Sequence, residues 1–294
     1  MDLLIDPELA AFRRRRALRH PDPKAGFLMD IVAEEFALRL SAVERRFERA
    51  VELFGATDAV AGATLDTGKI ASLDRVELEG QPIAAASLED VPLEPDSCNL
   101  VLAPLFLHLV NDLPGSLIRM RRALKPDGLM LAAIPGAGTL QELNEVLLET
   151  EMRLYGGASP RVVPFGEVRA VGGLLQRAGF ALPVADVENY TVRYQSLFGL
   201  LADLRQMGQT NPLLARSRKP VDRRFFAEAA QLYAERFADP DGRIRATFSI
   251  IFLSGWAPHK SQQRPLRPGS AKMRLADALK AIREEDEGKD ADGE

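Results

Sequence analysis

The sequence predicts an α/β protein with a mostly parallel sheet, on three observations. Short apolar runs that read as strands recur along the first half: AVELF at 50–54, IASL at 70–73, NLVLAPL at 99–105 and LMLAAI at 129–134. Helical patterns separate them, weakly in DAVAGATLD and clearly in LPGSLIRMRRALK at 113–125, and strand–helix alternation argues for a parallel sheet covered on both faces. KPDG, Lys125 to Gly128, puts Pro and Gly where a tight turn between helix and strand uses them.

The chain opens on a basic segment, residues 1–26. FRRRRALRH at 12–20 follows Asp2, Asp6 and Glu8, and transit peptides are poor in acids. Arg13, Arg14, Arg15 and Arg16 therefore read either as the solvated face of a short helix or as a contact for an acidic protein or anionic lipid head groups. FLMDIVAEEFALRLSAVERRF at 27–47 carries apolar residues at helical spacing without Pro or Gly, so a helix should lead into the core. The main domain, 27–264, continues with helical patterns at 139–155 and 166–179, the second closing at Gly179, then the strand-like VADVENYTVRY. QSLFGLLADLRQMG and VDRRFFAEAAQLYAERFA add two helices within an insertion at roughly 190–242, joined by a polar loop with Asn211 and Pro212. ATFSIIFLSGWAP at 246–258 reads as the last strand, and 265–294 as a polar, acidic tail too poor in apolar residues to fold alone.

Bulk properties narrow the function. A net charge of −4 over 294 residues gives no reason to expect nucleic acid, and the single cysteine, Cys98, excludes an internal disulfide framework and a multi-cysteine metal site. Cys98 itself reads as a small core residue. No apolar run approaches the roughly 20 residues that span a bilayer. A bacterial cytoplasmic address, with contact at the inner face of the membrane as an option, is the simplest expectation.

Gly55 follows a strand, and Asp74 lies 19 positions later. A carboxylate at that spacing can accept hydrogen bonds from both ribose hydroxyls of a nucleoside; a strand-end or turn role explains Asp74 equally. His108 reads as a residue facing the reacting centre or as a helix-start residue, with Asn111 or Asp112 as the N-cap.

SCNLVLAPLFLHLVNDLPGSLIRMRRALKPDGLMLAAIPG resembles the fourth strand, the following helix and the fifth strand of class I S-adenosylmethionine-dependent methyltransferases. Within them, LHLVNDLP, GTLQEL, GGASP with PF, DLRQMG with TN, and SGWAPHKSQQRP with GSA resemble in order the complex I assembly methyltransferase-like family of mitochondria and α-proteobacteria, with distant kinship to malonyl-carrier O-methyltransferases. The resemblance implies a Rossmann-like, mostly parallel seven-stranded sheet with an antiparallel last strand. It also implies S-adenosyl-L-methionine as cofactor and a protein partner such as a respiratory complex I subunit. The family's first motif sets Glu52 and Leu53 before a glycine turn, but Phe54, Ala56 and Asp58 stand on the glycine positions and Gly55 alone remains. Asp74 matches the ribose acid. Ser87 stands at the adenine-facing acid with Glu89 and Asp90 beside it, and Leu105 ends the fourth strand. Family members are linked to arginine hydroxylation, but His20, His108 and His259 would have to assemble an iron triad from distant segments. Trp256 and His259 read as fold closure or acceptor contact, and Arg205, Met207 and Gly208 as a helical lid or a plain helix end.

Two functions follow: a transferase that methylates or helps assemble a protein partner, with His108 as its catalytic candidate, or a pseudo-methyltransferase of the same fold kept as an assembly factor. Replacing glycines by Phe54 and Asp58 favours the second, since a ring and a like charge then meet the methionine carboxylate at a helix N-terminus otherwise suited to anions.

Overall fold

The computed structural model describes residues 3–79 and 82–262. Its elements are α1 (Pro7–Arg19), α2 (Phe27–Ser41), β1 (Ala50–Leu53), α3 (Ala59–Asp66), β2 (Leu73–Glu77), β3 (Ile83–Ala84), β4 (Cys98–Pro104), α4 (Leu113–Ala123), β5 (Leu124–Pro135), α5 (Gln141–Tyr155), α6 (Val168–Arg177), β6 (Ala181–Tyr194), α7 (Leu197–Gln206), α8 (Arg223–Phe237) and β7 (Ile244–Trp256). The seven strands lie in the order β3-β2-β1-β4-β5-β7-β6. β1 to β5 pair in parallel, and β7 runs antiparallel to both its neighbours. The sheet has the architecture that the resemblance implied.

Apolar side chains cover both faces. Val51, Leu53, Val101, Ala103 and Met130 pack with Leu117 and Met120 of α4 and Leu175 of α6 on one face. Ala50, Leu100, Leu102, Leu129 and Leu131 pack with Val32, Phe36 and Leu40 of α2 on the other. A third cluster joins α5, α7 and α8 to β7 through Leu143, Leu200, Phe225 and Phe248, and it is the helical layer expected in the second half.

Three local expectations are corrected. IASL is not a strand: Ile70 makes an isolated bridge to Phe47, and β2 begins only at Leu73, where LDRVE is half-buried for three residues and buried for two beside a two-residue neighbour. KPDG is not a turn between elements but lies inside β5. There Asp127 takes φ 67°, and a Cβ at Gly128 would stand 2.9 Å from the Lys125 carbonyl and 3.0 Å from that of Asn99.

The third correction concerns the basic N-terminal helix. Asp6 caps α1 by accepting from the Leu9 amide at 3.1 Å, with Pro7 preset for the first turn. The helix does not project into solvent; it packs across the carboxyl ends of the strands. Ile5 bridges to Leu213, the Asp6 amide donates to the Pro212 carbonyl at 2.8 Å, and the Leu214 amide donates to Leu4. Arg13 donates to the Thr210 and Asn211 carbonyls. Arg14 is buried and Arg15 pairs with Glu79 at 3.0 Å, so of the four arginines only Arg16 is exposed. The chain divides at Pro258, with His259 in the second unit; the acidic tail expected at 265–294 lies outside the described residues.

Candidate functional site

In an open parallel sheet ligands lie outside the carboxyl ends of the strands, where the strand order reverses. Here that point lies above β1, between β2 and β4. The turn after β1 begins at Phe54, whose φ of 53° is a conformation that glycine adopts without strain. Its amide donates to the Val76 carbonyl at 2.9 Å. Its ring is fully buried and tilts against Phe106 with centroids 4.7 Å apart, so Phe54 plugs the core beneath the crevice.

Gly55 is needed for a different reason. A Cβ there would lie 1.7 Å from Glu52 Oε1, because the Glu52 carboxylate is folded under the turn with no exposure. Burial pushes the Glu52 pKa up to about 7, opposed mainly by Arg75 and Arg14. Arg75 Nε pairs with Glu52 at 3.0 Å, while Nη2 donates to the carbonyls of Gly55 at 2.7 Å and Thr57 at 3.0 Å and Nη1 pairs with Asp58. One guanidinium thus cross-braces the turn that a nucleotide-binding fold keeps for its ligand.

Asp74, expected to meet a ribose, does not stand at the strand end. Asp74 pairs with Val51, whereas Val76 pairs with Leu53, so Asp74 lies about 10 Å back from the strand end at 3.3 Å per residue. It faces the amino side of the sheet and holds Arg49 at 2.9 Å. Glu77 occupies the carboxyl end of β2 instead, 5% exposed. Arg14 Nε reaches both of its oxygens at 2.9 Å, Nη2 adds a third bond, and the Leu78 amide donates to Oε1 at 2.8 Å. The Arg14 guanidinium also sits 5.7 Å from the Phe54 ring centroid. Spacing from Gly55 missed Glu77 because the strand starts three residues later than its apolar run suggests.

The residues before β4 are used for structure. Ser87 Oγ accepts from the Glu89 amide, and Asp90 accepts from the Ala86 amide. Glu89 Oε1 receives both the amide and the side-chain N–H of Asn111, and Asn111 Oδ1 in turn accepts from the amides of Leu4 and Ile5 at 2.9 Å. Glu89 therefore helps to seat the segment leading into α1.

Across α1 the site changes character. A cavity of about 270 Å³ lies over β4, β5 and β7, lined by Leu105, His108, Leu143, Phe165, Phe226 and Phe248 among others. Leu105 turns the chain there with φ 50°. His108 Nε2 contacts Gln209 Oε1 at 2.7 Å; an amide oxygen only accepts, so Nε2 carries the proton and Nδ1 is the bare nitrogen. Burial lowers the His108 pKa to about 4, with the Gln209 contact opposing, so the ring is neutral at physiological pH. The loop at 159–165 borders this cavity because Glu151 gathers it, accepting from the Ser159 amide at 3.0 Å and from Arg161 at 2.9 and 3.0 Å; Arg161 then stacks 4.6 Å from the Phe225 ring. Met207 lines the same cavity. Cys98 and Trp256 lie elsewhere: the Cys98 thiol is buried and pushed up to about 11, and Trp256, paired with Leu129 at the other end of β5, sits under Arg45 at 5.6 Å. His259 belongs to the second unit.

The methyltransferase domain family matches residues 49–132. Over 291 residues the chain is 35% identical to "Arginine-hydroxylase NDUFAF5, mitochondrial" of Mus musculus, covering 94% of this chain and 84% of the mouse protein. The chain belongs to the NDUFAF5 family. A Dictyostelium discoideum NDUFAF5 is 41% identical over 198 residues, 66% of this chain; the match spans 45% of that relative's length, and a Danio rerio match spans 60%. A malonyl-[acyl-carrier protein] O-methyltransferase of Gallionella capsiferriformans is 28% identical over 66% of this chain and 63% of its own. The YcgJ protein of Bacillus subtilis superposes at TM-score 0.49 and 14% identity over 76% of this chain and 99% of that one; the fold rests on the strand order above. NDUFAF5 proteins of five organisms are named as mitochondrial. They overturn the expectation of a bacterial cytoplasmic address.

S-adenosyl-L-methionine is the group that a methyltransferase domain implies. In this conformation the residues do not fit it: both oxygens of the strand-end carboxylate are taken by Arg14, and Arg75 holds the carbonyls of the turn. Among the described residues no three or more His, Cys, Asp and Glu side chains are grouped to hold a metal ion, and no helix is long and apolar enough to cross a membrane.

Proposed function

We propose that this chain holds or acts on a protein partner during assembly of respiratory complex I, and that in the conformation described it does so as a docking factor rather than by methyl transfer. The paired charges carry this reading: the carboxylate and guanidinium groups at the strand ends satisfy one another inside the chain. Kinship to proteins named as arginine hydroxylases and the family-like segments gathered around the apolar cavity support a protein as the partner.

Methyl transfer is the second reading. It is favoured by the carboxylate at the end of β2 and by a cleft of about 820 Å³ that Gly55, Ala59 and Glu77 border. The test is deletion of the gene followed by native-gel analysis of complex I and mass spectrometry of its soluble subunits. Docking predicts stalled assembly and no methyl group whose presence depends on the chain. Normal assembly without the chain overturns the partner reading, and a chain-dependent methyl mark turns it into a transferase.

A further inference from the structure

We infer that the segment 213–224 is a basic docking rim beside the apolar cavity, and that it fits an acidic protein segment carrying one large apolar side chain for the cavity itself. This deepens the partner reading, on which it rests, by naming the partner's chemistry.

Charge is the first ground. The chain as a whole has a net charge of −4, yet RSRKPVDRR at 216–224 gathers Arg216, Arg218, Lys219, Arg223 and Arg224 around the single carboxylate of Asp222. Asp222 caps α8, accepting from the Phe225 amide at 2.9 Å, and Arg216 is held by Asp6 at 3.0 Å. The other four cations are exposed, and among the described residues none of them makes an ion pair. Arg223 and Arg224 also stand in the first turn of α8, where the helix dipole favours carboxylates over cations. Like charges crowded there cost stability that an anion from outside would return.

Place is the second. Thr210, Asn211 and Pro212 line the cavity just before this segment, and Phe225 and Phe226 line it just after. Arg224 directly precedes Phe225, so a carboxylate held by the rim lies next to the cavity wall. At about 270 Å³ the cavity has room for an aromatic ring, since apolar cavities of about 150 Å³ already take up benzene.

Apolar surface is the third. Leu213 bridges antiparallel to Ile5, and the Leu214 amide donates to the Leu4 carbonyl at 3.0 Å. Leu4 and Leu214 therefore form a cross-strand pair on the face away from the buried Ile5 and Leu213. Both are exposed, with Leu3 beside them. Arginines outnumber lysine in the rim four to one, and their forks match carboxylates in a bidentate geometry. Arginines for acids, a leucine ledge and a pocket for one anchor together suit a peptide. A bilayer surface would use the cations and leucines but leave the pocket idle.

The probe is a fluorescein-labelled peptide with one central Phe flanked on both sides by Asp and Glu. Fluorescence anisotropy with the full chain should show binding that weakens at least about tenfold when the Phe is replaced by Ser. It should also weaken at least about tenfold in a chain with Arg218→Glu, Lys219→Glu, Arg223→Glu and Arg224→Glu, and added salt should weaken binding to wild type far more than to that chain. All four positions are exposed, and circular dichroism checks the fold. Where the reversed chain does not fold, Arg218→Gln with Lys219→Gln decides, with a loss of at least about threefold expected. No binding at millimolar protein, equal binding by the reversed chain, or a Ser peptide as tight as the Phe peptide overturns the rim. Vesicles of phosphatidylcholine and phosphatidylglycerol that hold wild type but not the reversed chain, while the peptide binds both alike, make it a lipid contact and overturn it too. Rim and partner reading fail separately: a reversed chain that restores complex I assembly after gene deletion overturns the rim alone, whereas normal assembly without the chain overturns the partner reading.

Discussion

The two halves of the strand-end face solve opposite problems. Over β1 and β2 the chain has buried charge: Glu52 with Arg75, Glu77 with Arg14, each pair taking up charge that a ligand would otherwise meet. Over β4, β5 and β7 it has kept an apolar cavity beside a neutral histidine, and a nearby pair, Glu151 with Arg161, serves to hold a loop. The same backbone carries both. Strand order therefore decides where a ligand could go, and the side chains at the strand ends decide whether it can.

The charged half should be the more fragile. Glu77→Ala leaves Arg14 buried without its partner, and urea unfolding should find a loss of about 3–5 kcal/mol. Replacing both by apolar residues, Arg14→Met with Glu77→Leu, should recover most of it, since a buried pair stabilises little over its apolar equivalent. A double variant as unstable as Glu77→Ala would break the picture of a self-satisfied pair.

Titration distinguishes the halves by sign. The Glu52 pKa is raised on folding, so the folded state holds a proton that the unfolded state loses; stability is full below the unfolded value near 4.5 and falls as pH rises toward 7. Glu52→Gln should remove that fall and gain about 3 kcal/mol over wild type at pH 8, with little gain at pH 4. The His108 pKa is depressed, so its contribution runs the other way: stability holds above 6.5 and falls as pH drops toward 4. His108→Gln should flatten about 2 kcal/mol of the wild-type loss between pH 6.5 and 5. Thermal unfolding across pH 4–8 reads both, and a wild-type profile unchanged by either variant refutes the burial argument. Last, Arg16→Ala should stay within about 0.5 kcal/mol of wild type, the reference against which Arg14 is judged.

The sheet was legible in the sequence because buried parallel strands read as apolar runs, and NLVLAPL and LMLAAI are such runs. β2 was not, because its neighbour β3 has two residues and leaves its face half open, so LDRVE carries polar residues that hide it. The site inherits that error: Asp74 was chosen by spacing, and Glu77 holds the place. The turn was read correctly as lacking its glycines, but its consequence was not, since Phe54 turns inward onto Phe106 rather than outward into a ligand's path. The arginine run was the hardest. A basic helix face looks solvated until its acids are located, and Glu77 and Glu79 lie some sixty residues away with nothing local to connect them.

The bridge between Ile5 and Leu213 has a consequence for synthesis. α1 is made well before its seat and is among the last elements able to dock, because that seat includes residues 207–216, some two hundred positions later. At about 5–20 residues per second that is a wait of tens of seconds, during which four consecutive arginines stand in solution beside an unfinished sheet. For that interval the segment is available to any acidic factor that meets the nascent chain, and closing the protein over its own crevice is the act that ends the encounter.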